Sequence, residues 1–341
     1  MTAFLQDPTV QVALWALLKL VVILCVMLGI VAYLTYGERK VAGHIQRRPG
    51  PNLVGPWGLF QPVADILKLL LKEEFIPARA NKVVYHLAPI LAVVPALTTF
   101  AVVPVGPNFL VTDVNVGLLV FLAMSSLGVY AITLAGWSSN NKYSLLGGMR
   151  SSAQMISYEL ALGLSTVGVL LLTGSLSLVD IVRAQQGVAH LGPLPVPRWF
   201  VFTQPVAFAI FLICAFAETN RAPFDLPEGE SELVGGFHTE YGSMKWAMFY
   251  LGEYMNMITM SAITATLFLG GWSGPWLPES LQFVWFFVKL FAMLFLFMWV
   301  RWTFPRLRYD QLMDLGWKVL LPVALLNVLA TGAAIYWVGN R

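Results

Sequence analysis

Glu159 and Glu253 are carboxylates placed where carboxylates are costly, well inside apolar runs of the chain. Counted from Arg150 and from Ser243 at helical rise, they lie about 13 Å and about 15 Å deep. An ionisable group at bilayer depth is rare and marks proton or ion pathways. Burial and like-charged neighbours favour the protonated carboxyl, the form a carrier needs near neutral pH. A single buried acid can also be protonated and bonded to a neighbour, with no transport role. Tyr158 and Tyr254 flank the two acids and are placed to extend a hydrogen-bonded chain.

A second set of acids crowds residues 218–240, where Glu218, Asp225, Glu228, Glu230, Glu232 and Glu240 stand against one positive charge, Arg221. Asp225 and Glu228 have capping-box spacing, and acids suit a helix N-terminus. The pattern predicts a short acidic helix over 226–234, set off by Pro223 and Pro227 before and by Gly235 and Gly236 after. Glu228 and Glu232 would share a face, with Glu230 pointing elsewhere and Phe224 as an apolar wall. A solvated loop with a helix start is the plainer reading. Depth orders the acids as a series: Glu228, Glu230 and Glu232 at the surface, Glu218 at the membrane edge, Glu159 and Glu253 near the midplane.

The chain that must position these groups is 58% hydrophobic and 11% charged over 341 residues, too apolar for a soluble domain. The expected fold is an all-α polytopic membrane protein forming a single integral membrane domain, 1–341. Eight stretches have the roughly 20 apolar residues that a span needs: 10–36, 83–105, 116–137, 153–174, 200–217, 244–269, 283–302 and 319–338. The first is too long for the apolar core of a cleaved signal. Connections on one side carry sixteen Lys and Arg residues, against Arg183, Arg198 and Arg341 on the other. The positive-inside rule then puts the acidic segment in the cytoplasm and both termini outside. Lys19 and Lys289 fall within spans and are expected to snorkel to an interface. Arg39, Arg221 and Arg301 gather at the inner level, where they suit lipid phosphates or ion pairs. Ala153, Ser157, Ala161 and Ser165 give the fourth span a small face for close packing.

The two cysteines and four histidines have no metal-ligand spacing, and no phosphate-binding glycine motif occurs. No cofactor, metal or nucleic-acid site is signalled in this chain. The long connection 38–82 holds an amphipathic stretch, 59–72, with Gln61, Asp65, Lys68 and Lys72 on one face. It is too short to span and should lie at the inner interface, either packed on protein or bordering an opening for an apolar substrate. The glycines and prolines of 47–56 forbid a helix and suggest a fixed irregular loop.

Seven motifs, in order, resemble those of the H subunit of bacterial NADH:quinone oxidoreductase, respiratory complex I. They are G-E-R-K (37–40), R-P-G-P-N-x-V-G-P (48–56), L-F-Q-P-x-A-D-x-x-K (59–68), S-N-N-K-Y-S-L-L-G (139–147), R-S-S-A-Q-M-I-S-Y-E (150–159), P-F-D-L-P-E-x-E-x-E-L (223–233) and R-L-R-Y-D-Q (306–311). The likeness covers about 10–338. It implies a membrane subunit, in the bacterial inner membrane, that anchors the peripheral arm and helps form the quinone chamber. Arg39, Asp65, Phe224 and Arg301 fall in the motifs around that chamber. Glu159, Glu218, Asp225, Glu228, Glu230, Glu232 and Glu253 match the acids of a path that couples quinone reduction to proton pumping in antiporter-like partners. Quinone is the substrate; FMN and iron–sulfur clusters are expected on partner subunits. Two other readings stay open: the membrane subunit of an energy-converting hydrogenase, and a stand-alone proton-coupled transporter.

Overall fold

The structure, a computed structural model, describes residues 8–107, 110, 112–191, 194–226, 229–275, 277, 278 and 281–339. At 8–10, 12, 13, 16, 17, 19, 20, 23, 188–191, 194–196, 230, 231, 338 and 339 it describes backbone alone. The chain divides into two compact units, Met1–Leu70 and Leu71–Arg341.

The first unit holds helix α1 (Pro8–Ile45), a 3-10 turn (Pro56–Gly58) and nearly all of α2 (Gln61–Leu71). α1 continues past the apolar run, so the G-E-R-K motif is helical rather than a connection. The amphipathic helix keeps Pro62 in its first turn, where a missing N–H costs nothing. Its apolar face, including Val63, Leu67 and Leu70, is exposed in this chain. The loop between them is fixed as its composition suggests. Arg48 N donates to Gly43 O at 2.8 Å and Phe60 N to Val54 O at 3.2 Å. A Cβ on Gly43 would stand 2.9 Å from Gly50 N, so the loop closes onto α1 only with glycine there.

The second unit begins with α3 (Lys82–Phe100), α4 (Gly117–Ser138), α5 (Lys142–Thr173) and α6 (Leu178–Ala184). A short antiparallel hairpin follows, β1 (Val188–Leu191) with β2 (Leu194–Pro197), an addition to the expected all-α fold. Next come α7 (Phe200–Thr203), α8 (Pro205–Glu218), α9 (Glu230–Leu233), α10 (Ser243–Phe268) and α11 (Phe283–Thr303). The chain ends with α12 (Tyr309–Asp314), a π-helical turn (Leu315–Leu320) and α13 (Leu321–Gly339). The fold is all-α and polytopic apart from that hairpin. A helix lies on each of the eight predicted spans. Among the described residues five are long and apolar enough to cross a membrane: Lys82–Phe100, Gly117–Ser138, Lys142–Thr173, Phe283–Thr303 and Tyr309–Trp337.

Three predicted elements differ. The fourth span starts eleven residues early, because Asn141 caps α5 by accepting from Tyr143 N at 2.9 Å. The fifth is broken at Gln204, whose φ of −129° and ψ of 54° leave the helix just before Pro205. Its side chain donates to Thr331 at 2.9 Å and accepts from Asn327 at 3.0 Å, satisfying polar groups at the break. The acidic helix is four residues, not nine. Its N-cap is Gly229, with no side-chain cap; the Asp225–Glu228 capping box expected from the spacing involves Glu228, which lies outside the described residues. Pro227 keeps the helix from starting at Leu226, since the residue before a proline is sterically biased away from helix.

Packing follows the small-residue prediction. Ser157, Ala161 and Ser165 are buried, and Ser157 Oγ accepts from Trp317 Nε1 at 3.0 Å on the C-terminal helical segment. Lys289 does not snorkel. It is buried and donates to Gly271 O at 2.8 Å and Ser273 O at 2.6 Å over the Trp199 ring, so it ties a loop to α11. The side chain of Lys19 lies outside the described residues.

Candidate functional site

The second unit contains a cavity of about 190 Å³. Ala92, Gly128, Ile132, Met155, Trp246 and Phe249 make its apolar side; Glu218, Asn220, His238, Tyr250, Glu253, Asn256 and Arg301 make its polar side. That is room for several waters with polar partners.

Glu218 reaches the cavity as the last residue of α8. It is 4% exposed, and its Oε2 is buried with no hydrogen-bond partner among the described residues. A buried, under-satisfied carboxyl oxygen calls for an explanation, and an open face toward a water-sized space supplies one. Glu253 enters from α10 and is half-buried. Of the two roles open to Arg221, the structure has the ion pair and not the lipid anchor. Arg221 is 2% exposed, donates from Nε to Glu253 Oε1 at 2.9 Å and lies 4.3 Å over the Tyr254 ring. The chain turns back sharply after α8, with Asn220 at φ 51°, which carries Arg221 inward. Tyr254 in turn shares a hydrogen bond of 2.8 Å with Tyr250, a cavity residue.

Glu159 is not part of the lining. It accepts from Ser126 of α4 and lies within electrostatic reach of Glu218. Tyr158, expected to extend a chain from Glu159, instead donates to Leu312 O at 2.7 Å. Successive helical residues face about 100° apart, so Tyr158 serves packing while Glu159 faces α4.

Gln154, which sequence reasoning misses, holds the end of α8 to the acidic loop. Its Nε2 donates to Ala217 O at 2.9 Å and Phe224 O at 3.0 Å. Its place one turn before Tyr158, as an amide on a buried helix face, is the available signal. Phe224 is buried against Tyr158 at 5.7 Å. It walls Tyr158, and its carbonyl accepts from Gln154. Leu307 N donates to Pro223 O at 3.1 Å, so the R-L-R-Y-D-Q motif clasps the same loop.

At the exposed end, Glu232 receives a hydrogen bond of 2.7 Å from Arg150. That bond holds its carboxyl below the usual carboxylate range. Asp225 stands ahead of α9 in the loop; the side chain of Glu230 and all of Glu228 lie outside the described residues. Further on, Tyr241 stacks on Tyr85 at 4.1 Å and bonds Ser138 at 3.1 Å. Burial pushes its hydroxyl up to about 12, against the hydrogen bonds of Ser138 and Ser139.

In the first unit, Arg39 and Asp65 form an ion pair of 2.6 Å, and Gln61 donates to the same carboxylate at 3.1 Å. Arg39 and Gln61 also line an open pocket with residues 48–53. Among the described residues no group of His, Cys, Asp and Glu is arranged to hold a metal ion.

The family model "NADH dehydrogenase" matches residues 18–332. One of the H subunits of NADH-quinone oxidoreductase from Geobacter metallireducens is 53% identical over 325 residues, covering 93% of this chain and 95% of the relative. An H subunit from Geobacter sulfurreducens is 54% identical, covering 94% and 96%. The H subunit from Rhodospirillum centenum is 54% identical, covering 89% of each. This identity, over nearly the whole of both chains, stands against the hydrogenase and transporter readings. A multi-pass chain with buried carboxylates around a small cavity belongs, on these matches, to the H-subunit family of NADH-quinone oxidoreductase, as a membrane component of that respiratory complex.

Proposed function

We propose that this chain couples quinone reduction to proton translocation through Glu218, Glu253 and Glu159, reached from the acidic loop that carries Asp225, Glu228, Glu230 and Glu232. The observation that carries the reading is the cavity. It sets Glu218, with an unpartnered buried oxygen, and Glu253, held by Arg221, around a space large enough for water. Carboxylates joined by water pass protons without moving backbone. Within the first unit, Arg39 and Asp65 serve the quinone chamber, Arg39 being fixed by its ion pair. Within the second, Phe224 and Arg301 serve it. Electrons reach the quinone from NADH through FMN and iron–sulfur clusters on peripheral-arm partners, and antiporter-like membrane subunits receive the coupling. The chain sits in the bacterial inner membrane as a single domain with eight spans and both termini periplasmic, following its positive charges.

The test is Glu218→Gln in the whole complex reconstituted in vesicles. Quinone-linked proton pumping is expected to fall by about tenfold or more. NADH oxidation by an artificial acceptor, which bypasses this chain, stays as it was. Unchanged pumping removes Glu218 from the path. Arg39→Ala should raise the apparent KM for short-chain quinones; an unchanged KM takes it off the chamber.

A further inference from the structure

We propose that His238 is a proton-transfer residue, standing between the acidic loop and the buried carboxylates Glu218 and Glu253. The proposal rests on the proton-path reading above and adds a group that neither the motifs nor the family match assigns.

The placement comes from three observations. His238 lines the same cavity as Glu218, Glu253 and Arg301. It is half-buried, in the 3-10 turn Gly236–His238 that follows the acidic loop. It is also the one lining residue, among those described, whose ordinary titration falls between pH 5 and 8. A carboxylate fits the deep positions, but exchange with neutral water is best served by a group that is near half-protonated there.

The ring is also held in place. Gly236, at φ 60°, comes so near α5 that a Cβ on Gly147 would meet its Cα at 2.7 Å. Phe237 is buried against Phe249, edge to face at 5.4 Å, and the His238 ring stands 5.0 Å from the Phe237 ring. Tyr241 N donates to His238 O at 2.9 Å, and Tyr241 is itself locked in the stack on Tyr85. A purely solvated loop histidine needs none of this.

The charged and titratable groups around the ring favour exchange over a fixed state. Glu218 faces the cavity from α8, Glu253 and Tyr250 from α10, and Arg301 from α11. α4 and α5 present Gly128, Ile132 and Met155, none of them titratable. On the loop itself Glu232 is engaged by Arg150 and Glu240 by Asn141. Arg221 is already on Glu253, which leaves Glu218 against Arg301, so neither sign of charge is in excess beside the ring. In the step, an imidazolium N–H bond breaks as an O–H bond forms on cavity water. That water gives one proton to an ionised Glu218 or Glu253. The neutral imidazole then takes one proton from the loop side, and no electrons move.

The experiment uses the whole complex in vesicles, with His238→Gln and His238→Ala beside Glu218→Gln. Rates are normalised to NADH oxidation by an artificial acceptor. His238→Gln is expected to lower quinone-linked pumping by about tenfold or more. Added imidazole should restore His238→Ala, and methylimidazoles should do so in the order of their basicity. Pyrazole, a ring of the same size but hardly basic, should not. Equal rescue by pyrazole assigns the ring to space-filling and overturns the proposal, as does failure of both variants to assemble. If His238→Gln pumps normally while Glu218→Gln does not, His238 is excluded and the path stands. If both pump normally, the path reading itself falls.

Discussion

Two arginine–glutamate pairs in this chain share nearly the same geometry in opposite surroundings. Arg221 meets Glu253 at 2.9 Å and Arg150 meets Glu232 at 2.7 Å. The side chains of the first pair are 1% and 22% exposed; those of the second are 35% and 57%. Distance alone would rank them equal. Surroundings do not, because an exposed pair gains about 0–1 kcal/mol. A buried charge stripped of its partner costs several times that. The inner pair is therefore a commitment of the fold, and the outer pair an adjustable contact on the acidic loop. The proposed proton path uses both kinds: one charge that fixes the buried site, and one that lets the loop respond.

The largest test of that difference is Arg221→Met. It leaves Glu253 without its cation, which should cost about 3–5 kcal/mol. The expected result is a lower melting temperature of the assembled complex and loss of quinone-linked pumping. Adding Glu253→Leu removes the stranded acid, so stability should return while pumping stays lost. Recovery of both would mean that the pair is structural only. A single variant as stable as the parent would mean that the burial argument is wrong.

Gln154→Leu ranks next. It removes the hydrogen bonds to Ala217 O and Phe224 O and a longer one to Asn220 Oδ1, and leaves the two carbonyls buried. The expected cost is about 1–3 kcal/mol. The end of α8 should loosen, seen as faster hydrogen exchange at 217–224. Unchanged exchange there would show that the loop is held by Leu307 and Pro223 instead.

What the sequence discloses and what it hides follow the same line between local and long-range causes. The apolar runs, the Pro-Gly loop at 47–56 and the α2 helix depend on neighbours in the chain, and all are readable from it. The small face at Ser157, Ala161 and Ser165 is readable too, since one helix surface defines it. The partner of Glu253 is not. Arg221 is 32 residues away, and its inward course depends on a backbone turn at Asn220. Gln154 and His238 escape sequence reasoning for a similar reason, as their roles come from loops folded back from elsewhere. The extent of the acidic helix is misread from sequence because the acids suit a helix start, whereas the described helix begins only at Glu230, after Gly229 in the left-handed region.

Glu232→Gln should have the smallest effect, and its pH dependence is what makes it useful. Arg150 holds the folded carboxyl below its ordinary value of 4.5. A depressed carboxyl adds stability that is present above the unfolded value and is lost as pH falls through the folded one. At pH 7 the variant should thus differ slightly from the parent, and by less still in high salt, because the pair is exposed and screened. The difference should begin to shrink as pH falls below 4.5 and vanish once the pH is under the folded carboxyl's own lowered value, where the parent is protonated too. The same lowered carboxyl keeps Glu232 ionised at neutral pH, which suits an attracting charge at the mouth of the path better than a carrier. Glu232→Gln is then expected to slow pumping far less than Glu218→Gln, measured in the same vesicles. An equal loss would make Glu232 a carrier and erase the distinction between the two pairs.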